Sequence, residues 1–175
     1  MSLTAAQAAE IAERELLTHS TEVASRILPE RIEEFDCGWL YYYQSARYLE
    51  TGKFEDSLVG NAPIFVARSD GKAFFVSYLR PIVESLAAYR SCGNPNALQL
   101  AEVRLTGWLA GAQVVSAIQA IRRHSSLGLA EVKGIVENCL ASQPSVVAVS
   151  TVEEAKALVA VLAPLGFQSE VGYDG

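Results

Sequence analysis

The sequence predicts an α+β protein, with a helix–antiparallel sheet–helix domain followed by a small β-α-α-β-α-β domain. Three observations carry this reading. Apolar residues recur at helical spacing near the start and again beyond Pro81. Between those stretches lie runs of aromatic and β-branched residues around Asp70-Gly71, a pair that favours hairpin turns. Finally, Ser91 to Gln99 (SCGNPNALQ) lacks any period and carries Gly, Pro and two Asn, which marks a linker. The expected domains are residues 1–95 and 102–175.

Thr4-Ala-Ala-Gln7 is a capping-box spacing, and Ala8, Ile11, Ala12 and Leu16 follow as one apolar helical stripe, with Glu15 at the same spacing. Pro29 is expected to end a helix over Glu22 to Leu28. Phe35 to Tyr43 favours a strand, with Trp39, Tyr41 and Tyr43 on one face and Leu40 and Tyr42 on the other. Ile64 to Arg68 and Ala73 to Tyr78 flank Asp70-Gly71. A two-residue type I′ turn there would pair Val66 with Phe75 and Ala67 with Phe74. This makes three antiparallel strands. Pro81 suits the first helical position, Ile82, Val83, Leu86 and Tyr89 form an amphipathic face, and Gly93 is placed to end it. Both faces of the hairpin are apolar: Ile64, Val66 and Phe75 on one, Phe65, Phe74 and Val76 on the other. A sheet covered on one side alternates instead. The second face therefore needs a cover: the other domain, a second copy or a partner.

In the second half, Val114, Ala117, Ile118 and Ile121 form one helical stripe, and Leu129, Val132, Val136 and Leu140 another. Gly128 stands between them, where a tight helix–helix corner needs it. Val146, Val147 and Val149 read as a short strand. Thr151 to Glu154 repeats the capping box ahead of Ala155, Leu158, Val159 and Leu162. Gly166 can end that helix and Phe167 to Val171 can close the sheet.

Of the 175 residues, 50% are hydrophobic and 19% charged, ample for packed cores and unlike a disordered chain. The apolar runs are far shorter than the ~20 residues of a membrane span. The N-terminus has no basic segment leading into an apolar block, so a cytoplasmic protein is expected. Three scattered cysteines read as reduced thiols, not a disulfide framework or zinc site. The net charge is −6, from nine basic against thirteen acidic residues up to Leu98 and five against seven beyond it. Neither half offers a basic face, so nucleic acid is not an expected partner.

Trp39 to Phe65 carries the most specific pattern. Trp39, Tyr43, Gln44, Ser45, Tyr48, Leu49, Glu50, Thr51, Gly52, Gly60, Asn61, Pro63 and Val66 stand where W-x-F-x-Y-Q-S-x-x-Y-L-E-T-G and a following G-N-x-P-h-h-V place them. The first half thereby resembles the bacterial immunity protein 35, or YrhB-like, family. That resemblance implies a cytoplasmic protein that binds and neutralises a cognate protein toxin. Tyr41, Tyr43 and Tyr48, set beside the carboxylates of Glu50, Glu55 and Asp56, are the candidate contact residues. The alternative for these positions is structural. The tyrosines would be core, and Gln44 and Asn61 would satisfy loop backbone groups. For Trp39 the core role is the expectation.

The second half resembles the C-terminal domain of the bacterial ribosomal stalk protein (the L7/L12 type). Ile118, Ile121, Arg122, Leu127, Gly128, Leu129, Glu131, Lys133, Val136 and Glu137 match that family's run, and the likeness extends over about Glu102 to Val171. The family's basic two-helix surface is depleted, with Gln119 and Ala130 where it has Lys. The remaining candidate contact face is Gln119, Arg122 and Lys133. A borrowed fold is the expectation, not a stalk subunit.

Nothing resembles an enzyme motif, and no cofactor is implied. His19 follows the first apolar stripe, where a helix-end imidazole is ordinary, and His124 sits at a helix end, where it can meet terminal carbonyls. Asp36 beside Cys37 reads as a semi-buried thiol at a strand. The leading expectation is an immunity protein. A chaperone-like or scaffolding polypeptide-binding protein, also an option as a homodimer, is the alternative. An adaptor using the Gln119, Arg122 and Lys133 face is a third.

Overall fold

Thr4 opens the first helix in the computed structural model, which describes residues 3–19 and 23–175. Its amide donates to Gln7 Oε1 at 3.0 Å and the Gln7 amide donates to Thr4 Oγ1 at 3.3 Å, the reciprocal cap that this spacing allows. Helix α1 (Ala5–His19) then buries Ala8, Ala12 and Leu16 along one stripe. Two small residues in that stripe let the helix sit close to a sheet.

The chain divides into two units, Met1–Asn96 and Ala97–Gly175. In the first, β1 (Ser25–Phe35), β2 (Gly38–Ser45), β3 (Ile64–Ala67) and β4 (Ala73–Phe75) form an antiparallel sheet in the order β1-β2-β3-β4. A short helix, α2 (Ala46–Thr51), follows β2, and α3 (Ile82–Cys92) follows β4. Pro81, expected as the first helical residue, stands one position ahead of that, just before α3 and without a side-chain cap bond, and Gly93, at φ 78°, ends the helix. The two sheet faces build two cores. Trp39, Tyr41, Tyr43, Ile64 and Val66 pack under α1. Leu40, Phe65, Ala67 and Val76 pack with Leu86, Ile82 and Tyr89 of α3. Each fully buried large side chain contributes about 1.5–3 kcal/mol by leaving water. At Gly38 a Cβ would collide with the Val66 carbonyl oxygen, so glycine is what lets β2 approach β3 there.

Three expectations are corrected here. The second apolar face of the hairpin is covered from within the unit, by α3, and calls for no other domain, copy or partner. Among the described residues of Glu22 to Leu28 none is helical. Residues 25–35 form strand β1, giving a sheet of four strands where three were expected, while Glu22 lies outside the described residues. Pro29 is tolerated because β1 is an edge strand and its register shifts between Ile27 and Ile32. The β3–β4 turn is also longer than two residues: Ile64 pairs with Phe75, Phe65 with Phe74 and Val66 with Ala73. Gly71 has φ 71° but Asp70 does not join it at positive φ, as a type I′ turn requires. The offset is two residues, so every side chain keeps its predicted face.

In the second unit β5 (Gln99–Trp108) lies between β6 (Ser145–Ala148) and β7 (Phe167–Tyr173), all antiparallel. Helices α4 (Val114–His124), α5 (Leu129–Leu140) and α6 (Val152–Leu162) supply one core with the sheet: Ile121, Val132, Val136, Leu158 and Leu162 against Val103, Leu105, Val147 and Phe167. The element order is β-α-α-β-α-β. Thr151 Oγ1 accepts from the Glu154 amide at 3.1 Å, which is half of the expected box. The Glu154 carboxylate turns instead to His124 Nδ1, at 2.6 Å. His124 therefore links the end of α4 to the start of α6, and the expected bond to helix-end carbonyls is replaced by this pair.

Candidate functional site

Between β2 and β3 the chain leaves the sheet, and its polar residues hold that excursion in one shape. Gln44 presents its side-chain amide to Leu58 as a neighbouring strand would present a peptide group. Oε1 accepts from the Leu58 amide at 2.5 Å and from the Ser45 amide at 2.8 Å, while Nε2 donates to the Leu58 carbonyl at 3.2 Å. Ser45 is buried and caps α2, accepting from the Tyr48 amide at 2.9 Å, and its hydroxyl donates to the Asp56 carbonyl. Gly52 closes α2 at φ 67°. Asn61 Nδ2 donates to the Tyr43 carbonyl at 2.9 Å, fastening the loop's far end to β2. Each such bond contributes about 0.5–1.5 kcal/mol net, and leaving a buried group without one costs more. Gln44 and Asn61 thus have the structural role that satisfies loop backbone.

The expected contact residues separate into three kinds. Tyr41 and Tyr43 are buried under α1, which corrects their assignment to an exposed edge. Burial, with Glu34 adding to it, pushes the Tyr41 phenol up to about 12, so it stays neutral. Tyr48 is half-buried at the foot of the loop. Asp56 faces inward, accepting from Thr51 Oγ1 at 2.7 Å and pairing with Arg47 Nε at 2.8 Å. Asp56 is thus a clasp and not part of an acidic rim. Glu50 and Glu55 are exposed, but each has a cation at hand, Arg26 at 3.4 Å and Lys53 at 3.9 Å. Exposed pairs of this kind contribute little.

Sequence reasoning missed what this loop presents. Phe54 is 80% exposed and Val59 78%, with Leu49 also exposed beside Glu50. Phe54 lies between Lys53 and Glu55 in a short 3-10 turn, where no strand or helix period governs it. Apolar residues in a polar, aperiodic loop were the available signal, since nothing there could bury them.

Other candidates resolve as structure. Arg90 of α3 grips Asp36 through Nε–Oδ2 at 3.2 Å and a second contact to Oδ1 at 2.5 Å, holding that carboxyl below its ordinary range. Burial pushes the neighbouring Cys37 thiol up, away from reactivity. His19 ends α1 and stacks on Phe75 with ring centroids 4.0 Å apart. In the second unit Gln119 and Arg122 are exposed on α4, and Lys133 is exposed on α5, where it pairs with Glu137 at 3.7 Å. Among the described residues no His, Cys, Asp and Glu grouping could hold a metal ion, and no helix is long and apolar enough to cross a membrane.

A family model described as immunity protein 35 matches residues 6–91, just under half of the chain. That span ends within α3 and takes in the whole of the first sheet and the clasped loop. No curated protein and no solved structure gives a significant match.

Proposed function

We propose that this chain is an immunity protein that binds a cognate bacterial toxin and neutralises it stoichiometrically in the cytoplasm. The observation that carries this reading is the family match over the first unit. The loop supports it physically. Its backbone is held by Gln44, Ser45 and Asn61 while Phe54 and Val59 stand in solvent, so docking orders little that is not already ordered. Exposed apolar anchors among polar neighbours are what a specific interface buries. The loop contact set in this reading is Leu49, Glu50, Phe54, Glu55 and Val59. No catalytic step is assigned to the chain. The second unit is read as a stalk-type module, supported by its β-α-α-β-α-β order, with Gln119, Arg122 and Lys133 as its outward polar face.

The chaperone-like alternative drew on the family resemblance and on the doubly apolar hairpin. Helix α3 covers the second hairpin face, which removes that part of its support.

Recovery of partners from the native bacterium, followed by co-expression of each with and without this protein, tests the reading. One toxic partner should be recovered near one-to-one and be silenced by co-expression. A Phe54→Asp, Val59→Asp double variant should keep its fold and lose at least about tenfold in affinity, since each 1.4 kcal/mol is a factor of ten. Recovery of many unfolded clients and no toxic one would sink the proposal.

A further inference from the structure

Helix α1 does not cover the whole sheet face beneath it. One helix is about 10 Å wide, whereas four strands about 4.8 Å apart span roughly 14 Å between their outer axes. The uncovered flank lies at β1, where a groove of about 520 Å³ opens between helix and strand. Leu16 and Leu17 line it from α1, Ile27 and Ile32 from β1, and Tyr41 forms part of its floor. Leu17 is 74% exposed and Ile32 42%. Scattered exposed aliphatics are ordinary, but two lining one hollow are not.

Two further features say what fits there. Strand β1 is the edge of its sheet, and among the described residues no strand lies on its outer side. Its backbone groups on that side are open to a polypeptide partner. Glu13 also lines the groove and has no ion-pair partner among the described residues, whereas Arg26 at the other wall is paired with Glu50. The groove therefore combines strand hydrogen bonding, an apolar slot and one uncompensated negative charge. Pro29 and the register shift after Ile27 interrupt the edge, which limits the pairing to a short segment and disfavours long edge-to-edge association.

We propose that the α1–β1 groove receives a short extended segment of the toxin, which runs along the β1 edge, seats an apolar side chain between Leu17 and Ile32, and sets a Lys or Arg against Glu13. This rests on the immunity reading for the identity of the partner, and on the groove's own chemistry for the segment. The Arg26–Glu50 pair connects the groove to the clasped loop, so one partner can use both.

The test uses the full chain with two labelled octapeptides, Thr-Lys-Val-Thr-Ile-Lys-Val-Thr and the same sequence with Glu in place of Lys. Amide shift changes and slowed hydrogen exchange should fall on residues 9–17 and 25–35 with the Lys peptide. Leu17→Asp should weaken that binding about tenfold or more, and Glu13→Lys should reverse the preference toward the Glu peptide. Both positions are exposed, so the variants should keep the native melting temperature. In the co-expression assay Leu17→Asp should also reduce protection against the toxin. Absence of binding by either peptide at millimolar concentration, or shifts confined elsewhere, overturns the proposal. Toxin neutralisation unaffected by Leu17→Asp overturns it while leaving the immunity reading standing. Peptide binding at the groove with recovery of many unfolded clients and no toxic partner overturns both the toxin as occupant and the immunity reading. A concentration-dependent dimer abolished by Leu17→Asp assigns the groove to a second copy and overturns the proposal.

Discussion

The two units solve sheet coverage in opposite ways. In the first, β3 is buried at every residue, with α1 under one face and α3 over the other. In the second, β6 alternates strictly between buried and exposed, because all three helices lie on one side. Where a helix lies over each face, as at β3, every strand position is core, whereas a one-sided cover leaves alternate positions free to vary.

The contrast is broken most forcefully at Phe65. It is fully buried against α3 and its ring meets Tyr89 edge-on at 4.9 Å. Phe65→Ala should cost about 3–5 kcal/mol in chemical denaturation. A loss under about 1 kcal/mol would mean α3 is not a true second cover. Next in size is Thr151→Ala, which removes the cap of α6 and should cost about 0.5–2 kcal/mol, read from the same denaturation curves. The carboxylate of Glu154, engaged with His124, is not free to replace it.

A smaller effect is expected from acid. Asp36 has its folded-state pKa lowered, chiefly by the Arg90 hydrogen bond, so its contribution is present above the ordinary carboxylate range and is lost as pH falls through the lowered value. Amide protection in the last turn of α3, taken relative to the unstructured exchange rate at each pH, should fall below about pH 4, the unperturbed range for Asp, and Asp36→Asn should remove that dependence. Protection that falls equally with acid in the Asn variant would assign the effect elsewhere. Smallest of all, Val146→Thr on the open face of the second sheet should stay within about 0.5 kcal/mol of the parent. A larger loss would show that this face is covered after all.

Much of this contrast was legible from residue periods. The alternate placing of Trp39, Leu40, Tyr41, Tyr42 and Tyr43 on two faces, and the helical stripes of α4, α5 and α6, follow from spacing alone. The apolar character of both hairpin faces was legible too, but not its remedy, because α3 reaches the sheet from residues that local periodicity does not connect to it. Strand β1 was hidden by Pro29 and by Glu30, Arg31, Glu33 and Glu34, a composition that suits an edge and defeats a search for alternation. At the loop, residue types pointed to tyrosines and carboxylates, while the exposed surface belongs to Phe54 and Val59. A tyrosine in a strand is claimed by the core and a carboxylate near an arginine by its ion pair. Neither competition can be read without the fold.

The Gln44–Ser45–Asn61 clasp separates what holds the loop from what the loop shows. Its bonds run from polar side chains to main-chain atoms at positions 43, 45, 48, 56 and 58, and none runs to the side chains of Phe54 or Val59. The tip can therefore be rewritten residue by residue without renegotiating the scaffold. Under the immunity reading, such a chassis would let binding specificity change at almost no penalty in folding.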